Sequence, residues 1–268
     1  MEWFGYMAAV LIGISLGLVG GGGSILTVPL LVYLFGLSPV IAVSYSLFIV
    51  GITSLFGALD HFRKGQASLN LALPLGIVSP ATVFLVRKYV VPHIPERLWT
   101  AGSLEVTKSV LTMLLFAVLM LAAALSMLRK TTGPSATTTT VRSGKDYFQL
   151  GLFGLGIGCV TGFLGAGGGF LIIPALVLLL KLPMKEAVGT SLFIIAVNSL
   201  VGFSGDLGHY ATDWIFLLCI TAMASAGIFI GMQLARKIPS EKLKRGFGWF
   251  VLVMGMYIIV QEIMVLLG

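Results

Sequence analysis

Charge is scarce in this chain. Of 268 residues only 10% are Asp, Glu, Lys or Arg, against 57% hydrophobic, and the mean hydropathy is +1.04. So little polar surface cannot clothe a soluble core of this size, which leaves a polytopic membrane protein. Cysteine is nearly absent as well: Cys159 and Cys219 lie in apolar stretches, at no metal-binding or redox spacing, and read as small buried hydrophobes. No Ser/His/Asp, HExxH or metal-ligand pattern occurs, so neither an enzyme nor a cofactor is expected. Met1-Glu2-Trp3 offers no basic residues ahead of its apolar stretch, so the first helix is expected to be retained. A net charge of +7 would suggest nucleic acid in a soluble protein. Here no nucleic-acid partner is expected, and the charge carries information through its distribution among loops.

Glycine, by contrast, is plentiful, and its placement is duplicated. Gly17-Leu-Val-Gly-Gly-Gly-Gly-Ser-Ile-Leu-Thr-Val-Pro29 returns as Gly162-Phe-Leu-Gly-Ala-Gly-Gly-Gly-Phe-Leu-Ile-Ile-Pro174 at an offset of 145. Laid over each other without a gap, residues 12–57 and 157–202 share 21 of 46 identities, including Ser46/Ser191, Ser54/Ser199 and Gly57/Gly202. A gapless register across glycine, proline and serine marks an internal repeat.

Apolar segments cover approximately 3–19, 25–37, 40–60, 69–86, 104–128, 148–164, 170–180, 187–205, 213–235 and 246–267. Segments 25–37 and 170–180 rise only about 16–20 Å as helices, short of a hydrocarbon core of about 30 Å. If each forms a re-entrant hairpin with the helix before it, three full spans follow in each half and the second half is inverted. Loops 61–66, 129–147, 181–186 and 236–245 then share one side with all but four of the 17 Lys and Arg residues, the exceptions being Arg87, Lys88, Arg97 and Lys108. That is a stronger positive-inside signal than a single broken crossing would give. The expected architecture is an all-α polytopic membrane protein with an inverted-topology repeat. Residues 1–128 form the first transmembrane repeat, 129–147 a Thr-rich flexible cytoplasmic linker, and 148–268 the second repeat. Both termini are then extracytoplasmic; a parallel duplication is the alternative.

The consecutive glycines break their helices inside the membrane, where exposed backbone is tolerable only if it lines a cavity or is buried in protein. The helix starts that follow, at Ser24/Ile25 and Gly169/Phe170, have unpaired N–H groups and a positive dipole end, which predicts an anion site where the two tips meet near the midplane. The expected ligand-lining residues are Gly21, Gly22, Gly23, Ser24, Gly167, Gly168 and Gly169. Small polar residues on the next helix of each half, Ser46 and Thr53 in one and Thr190, Ser191 and Asn198 in the other, are further candidates. Gly13, Gly17, Gly158 and Gly162 fit helix packing better. Asp206 and His209 could relay protons, though such pairs are more often interfacial loop residues. Glu105 and Lys108 are expected to pair at the rim.

At these glycine runs, and at Ala187-Val-Gly-Thr-Ser191, the chain resembles the TauE/SafE family of membrane transporters, the sulfite exporters. The resemblance extends over nearly the whole chain. It implies a secondary transporter, chiefly an exporter, of small sulfur oxyanions or organosulfonates across the bacterial inner membrane; the residues by themselves reach only a small anionic substrate and the lipid bilayer as partners. An anion channel, or a transporter of another small anion, is the alternative, and the oligomeric state is open. Ala166 interrupts the second glycine run, and Ser24 stands where the other half has Gly169, so the two tips need not be equivalent.

Overall fold

The computed structural model describes residues 2–65, 69–101, 104–128, 144–165, 169, 172–173, 176, 182, 184–235 and 240–267. Helix α1 (Glu2–Val19) leads into a 3-10 helix, Gly20–Leu26, and then α2 (Thr27–Phe35). Three long helices follow: α3 (Pro39–Arg63), α4 (Leu69–Leu85, prolonged by a π-turn Val86–Val90) and α5 (Lys108–Leu128). The second half contributes α6 (Gly144–Leu164), α7 (Met184–Asp206), α8 (Trp214–Ala235) and α9 (Ser240–Leu267). A short antiparallel hairpin, β1 (Arg97–Ala101) with β2 (Leu104–Thr107), joins α4 to α5 and is an addition to the helical fold expected.

Among the described residues five helices are long and apolar enough to cross a membrane, and four shorter apolar helices accompany them. Leu111, Leu115 and Val118 on α5 and Ile215, Leu218 and Phe229 on α8 are exposed. In a multi-pass membrane protein such side chains face lipid, which removes the usual penalty on exposed apolar surface.

The packing repeats with the halves exchanged. Helix α1 packs on α8 as α6 packs on α4, and α3 lies against α8 as α7 lies against α4, while α3 pairs with α7 and α5 with α9. Glycine sets the closest of these contacts. A Cβ on Gly13 would stand 1.9 Å from Ala224 O, one on Gly227 2.2 Å from Val10 O, and one on Gly158 2.7 Å from Ser79 O. Backbones meet there without intervening side chains, which supports reading Gly13, Gly17, Gly158 and Gly162 as packing notches.

The contacts also fix direction. Gly13 meets Ala224 and Gly17 meets Gly231, so α1 and α8 run parallel. Tyr45 with Phe216 and Phe56 with Phe229 make α3 parallel to α8. Helices α1 and α3 therefore point the same way, and residues 20–38 must bring the chain back between them. The other half matches, since Gly154 against Val78 and Gly162 against Val86 align α6 with α4, while Asn198 with Ser79 and Gly202 with Val83 align α7 with α4. The equivalent helices α3 and α7 are antiparallel: Leu47 lies on Gly202, Leu200 on Gly51 and Leu192 on Gly57. Their crossing is centred near Ile52 and Val197.

Candidate substrate site

The breaks themselves are alike in both halves. Gly20 (φ 66°) ends α1 and Gly165 (φ 65°) ends α6 in the left-handed conformation that disfavours any side chain. Each rests on the other half: Gly20 abuts Val188 of α7, and Gly165 abuts Val43 of α3. Val43 and Val188 are themselves equivalent in the repeat. The Gly165 N–H donates to Thr161 O at 2.8 Å, and Ser46 Oγ donates to Gly165 O at 2.9 Å, so α3 braces the turn of the opposite half. Ser191, the counterpart of Ser46, instead donates to Val188 O on its own helix at 2.8 Å.

The two turns do not meet. Val43 and Val188 lie near the N-terminal ends of antiparallel helices, so Gly20 and Gly165 are separated along the bundle by roughly 27 Å at 1.5 Å per residue. The cause lies in the glycine run, which winds into a 3-10 helix over Gly20–Leu26 where an unwound loop was expected. At about 2 Å per residue that segment adds ~14 Å to the ~14 Å of α2, so the returning arm reaches nearly across a bilayer. Consequently Gly21, Gly22, Gly23 and Ser24 belong to a descending arm, and the α-helix start moves from Ser24/Ile25 to Thr27. Helix α2 folds back along α3 from Gly36, which places Thr27 ~14 Å up that helix, within about a turn of the α3–α7 crossing.

Near that crossing lies a group of buried polar atoms. Ser54 Oγ, Asn198 Oδ1 and Ser199 Oγ, all within two residues of its centre, have no hydrogen-bond partner among the described residues, and neither has Thr27 Oγ1. Each of these four residues is fully buried. Thr161 Oγ1 and Ser225 Oγ on the flanking helices are also without partners there. Unpaired buried polar atoms cost on the order of 1–3 kcal/mol each, so several of them in one apolar bundle make this the candidate site.

The remaining expected site residues fall as follows. Asn198 Nδ2 donates to Ser79 Oγ at 2.8 Å, joining α7 to α4. Thr53 spends its hydroxyl on Ile49 O, and Thr190 is buried. Gly169 is buried, whereas Gly167 and Gly168 lie outside the described residues. Ser54, Ser199, Thr27 and Ser79 were absent from the expected set; the identity of Ser54 and Ser199 between halves was the available signal.

The expected Asp206–His209 relay is not formed. Asp206 is held by Arg87, whose Nε donates to Oδ1 at 2.7 Å and whose Nη2 bonds Oδ2. Both side chains are buried, at 1% and 3% exposure. In an apolar surrounding a guanidinium outcompetes an imidazole for a carboxylate because it offers two parallel charged donors. The His209 ring is exposed, and only its backbone N–H reaches Asp206 O. Lys108 likewise departs from expectation. It is buried and donates to Val91 O at 2.6 Å, while the Glu105 side chain lies outside what is described. A further buried carboxylate, Glu262 on α9, accepts a hydrogen bond from Tyr33 of α2 at 3.2 Å.

Comparison with known proteins now fits this architecture. The family model "Sulfite exporter TauE/SafE" matches residues 6–258. The chain belongs to the TauE/SafE family. A "Probable membrane transporter protein" of Xylella fastidiosa (strain Temecula1) is 31% identical over 255 residues, covering 93% of this chain and 91% of that one. "Probable membrane transporter protein YdhB" of Bacillus subtilis is 27% identical over 237 residues, covering 87% and 90%. A second Bacillus subtilis relative, "Probable membrane transporter protein YunE", is 27% identical over 256 residues, covering 89% and 91%. No solved structure matches. As a TauE/SafE member the chain is a membrane transporter.

Proposed function

We propose that the protein is a secondary transporter that carries small sulfur-containing anions, such as sulfite or short organosulfonates, outward across a bacterial inner membrane. The family description supplies the substrate class. The carrying observation is the antiparallel packing of the equivalent helices α3 and α7 about a centre near which the Thr27, Ser54 and Ser199 hydroxyls are unpartnered among the described residues and Asn198 Nδ2 spends only one of its two N–H groups, on Ser79.

In this reading the two halves are inverted, each with a returning arm between two helices that run the same way. With the loops after α3 and α8 and the segment between α5 and α6 in the cytoplasm, most of the Lys and Arg residues lie inside and both termini outside. An anion at the crossing meets the hydroxyls of Thr27, Ser54 and Ser199 and the Asn198 Nδ2–H that Ser79 does not take. None of these is a full charge, so binding is reversible, as turnover requires. Access alternates as one half rocks against the other around the α3–α7 contact.

The test is flux into proteoliposomes of labelled sulfite, ethanesulfonate and sulfoacetate, with sulfate and acetate as comparisons. Saturable flux of one of the sulfur anions, accelerated by the same anion on the opposite side, is the expected result. Electrical conductance without countertransport would indicate a channel, and equal flux of acetate would remove the substrate class.

A further inference from the structure

A cavity of about 150 Å³ lies between the start of α3, the end of α4, the start of α5 and the end of α6, beside the Gly165 turn. Arg87 and Lys108, both buried, are its charged wall. Val43 and Phe163 are among the apolar residues that form its inner wall, and the exposed Leu111 and Leu115 of α5 form its rim on the lipid side. The repeat does not duplicate its ion pair: Arg87 and Asp206 correspond to Met232 and His61. Among the described residues Arg87, Lys108 and Asp206 bring buried charge together at the end of the bundle opposite the C-terminal ends of α3, α5 and α8.

Among the described side chains the charges there do not cancel. Arg87 is matched by Asp206. No salt bridge joins Lys108 among the described residues, where the carboxylates acting on it through space are the exposed Glu96 and the already paired Asp206. Its bond to Val91 O uses one of three N–H donors. A buried ammonium at the head of a membrane helix with no ion pair among the described residues is costly, and such a group points to a ligand.

We infer that this cavity is a second anion site, selective for short-chain organic anions whose acidic group meets Lys108 and Arg87 and whose hydrocarbon tail fills the apolar wall. The charge selects an anion, the wall favours one with an apolar tail, and the volume limits its size. An apolar cavity of 150 Å³ holds about six heavy atoms, as a benzene-binding cavity does. A fully hydrated inorganic anion would leave most of the wall unfilled. Sitting beside Gly165, the site would load anions at one face of the protein only.

The experiment is equilibrium binding to the full chain in uncharged detergent at low salt, which needs no flux and so stands or falls separately from the transport reading. The probes are labelled butyrate and propanesulfonate, with sulfate and butylammonium as comparisons. Expected are saturable binding of both organic anions, at least tenfold tighter than sulfate, and no binding of butylammonium. Lys108→Gln is expected to weaken binding at least tenfold, and Val40→Phe, which fills the cavity without touching a charge, to weaken it similarly. Lys88→Gln, which removes an exposed neighbouring charge, should leave it unchanged. If Lys108→Gln does not fold, Val40→Phe decides. Butyrate binding that survives the folded variants, or equals sulfate binding, overturns the proposal. So does a response to phosphatidylglycerol in the micelle with none to butyrate, because the ligand would then be a lipid headgroup.

Discussion

Replacing Asp206 with alanine is expected to cost about 3–5 kcal/mol of stability, because it leaves the Arg87 guanidinium buried without its counter-charge. The Arg87→Met single variant should lose a similar amount by stranding the carboxylate. The double variant Arg87→Met/Asp206→Leu should recover most of it, since a well-packed apolar pair replaces a buried ion pair at little or no cost. The other half of the same chain already has Met232 where the first has Arg87, so an apolar residue fits the equivalent place. Thermal unfolding in detergent, followed by size-exclusion chromatography, measures all three. The pair also ties α4 to α7, and Arg87 Nη1 reaches Gly162 O at 3.4 Å on α6. Three helices therefore loosen together when it breaks.

The second large effect is on transport. Asn198→Ala should lower flux at least tenfold while the protein still folds, because removing one hydrogen bond to a charged ligand is worth about 1.5–3 kcal/mol and each 1.4 kcal/mol is tenfold. Ser199→Ala and Ser54→Ala should each lower it several-fold, and together at least as much as Asn198→Ala. Thr53→Val is the contrast: its hydroxyl is spent on Ile49 O, so flux should change less than about threefold. Initial rates in proteoliposomes at saturating and limiting substrate separate lost binding from lost turnover. Equal effects at Thr53 and Asn198 would show that general disturbance of the crossing, and no ligand contact, is responsible.

Much of the architecture could be read from the residues. The offset of 145, the two short apolar segments and the one-sided bases together led to the expectation of returning arms, and in the first half α1 and α3 run parallel. The depth of those arms could not be read. A run of four glycines is equally compatible with an unwound loop and with a 3-10 helix, and in the first half the latter lengthens the arm enough to carry Gly20 towards the far end of the bundle. The buried ion pair was hidden for a different reason. Arg87 and Asp206 are 119 residues apart, and each lies at the end of a span, where a charged residue normally reports topology. Ser54 and Ser199 were visible as identities, yet a helical serine usually bonds a carbonyl of the preceding turn. That these two do not emerges only once the helices are packed.

The account depends on the two halves facing opposite sides of the membrane. Lys64 and His209 occupy equivalent positions in the repeat, both exposed, at the ends of α3 and beyond α7. Single cysteines placed there, in a chain whose Cys159 and Cys219 are replaced, can be challenged in intact cells with a membrane-impermeant maleimide. The expected result is labelling at position 209 from outside, and at position 64 only after the membrane is opened. Labelling of both positions from the same side would contradict the inverted arrangement and, with it, a site shared between the halves at the α3–α7 crossing.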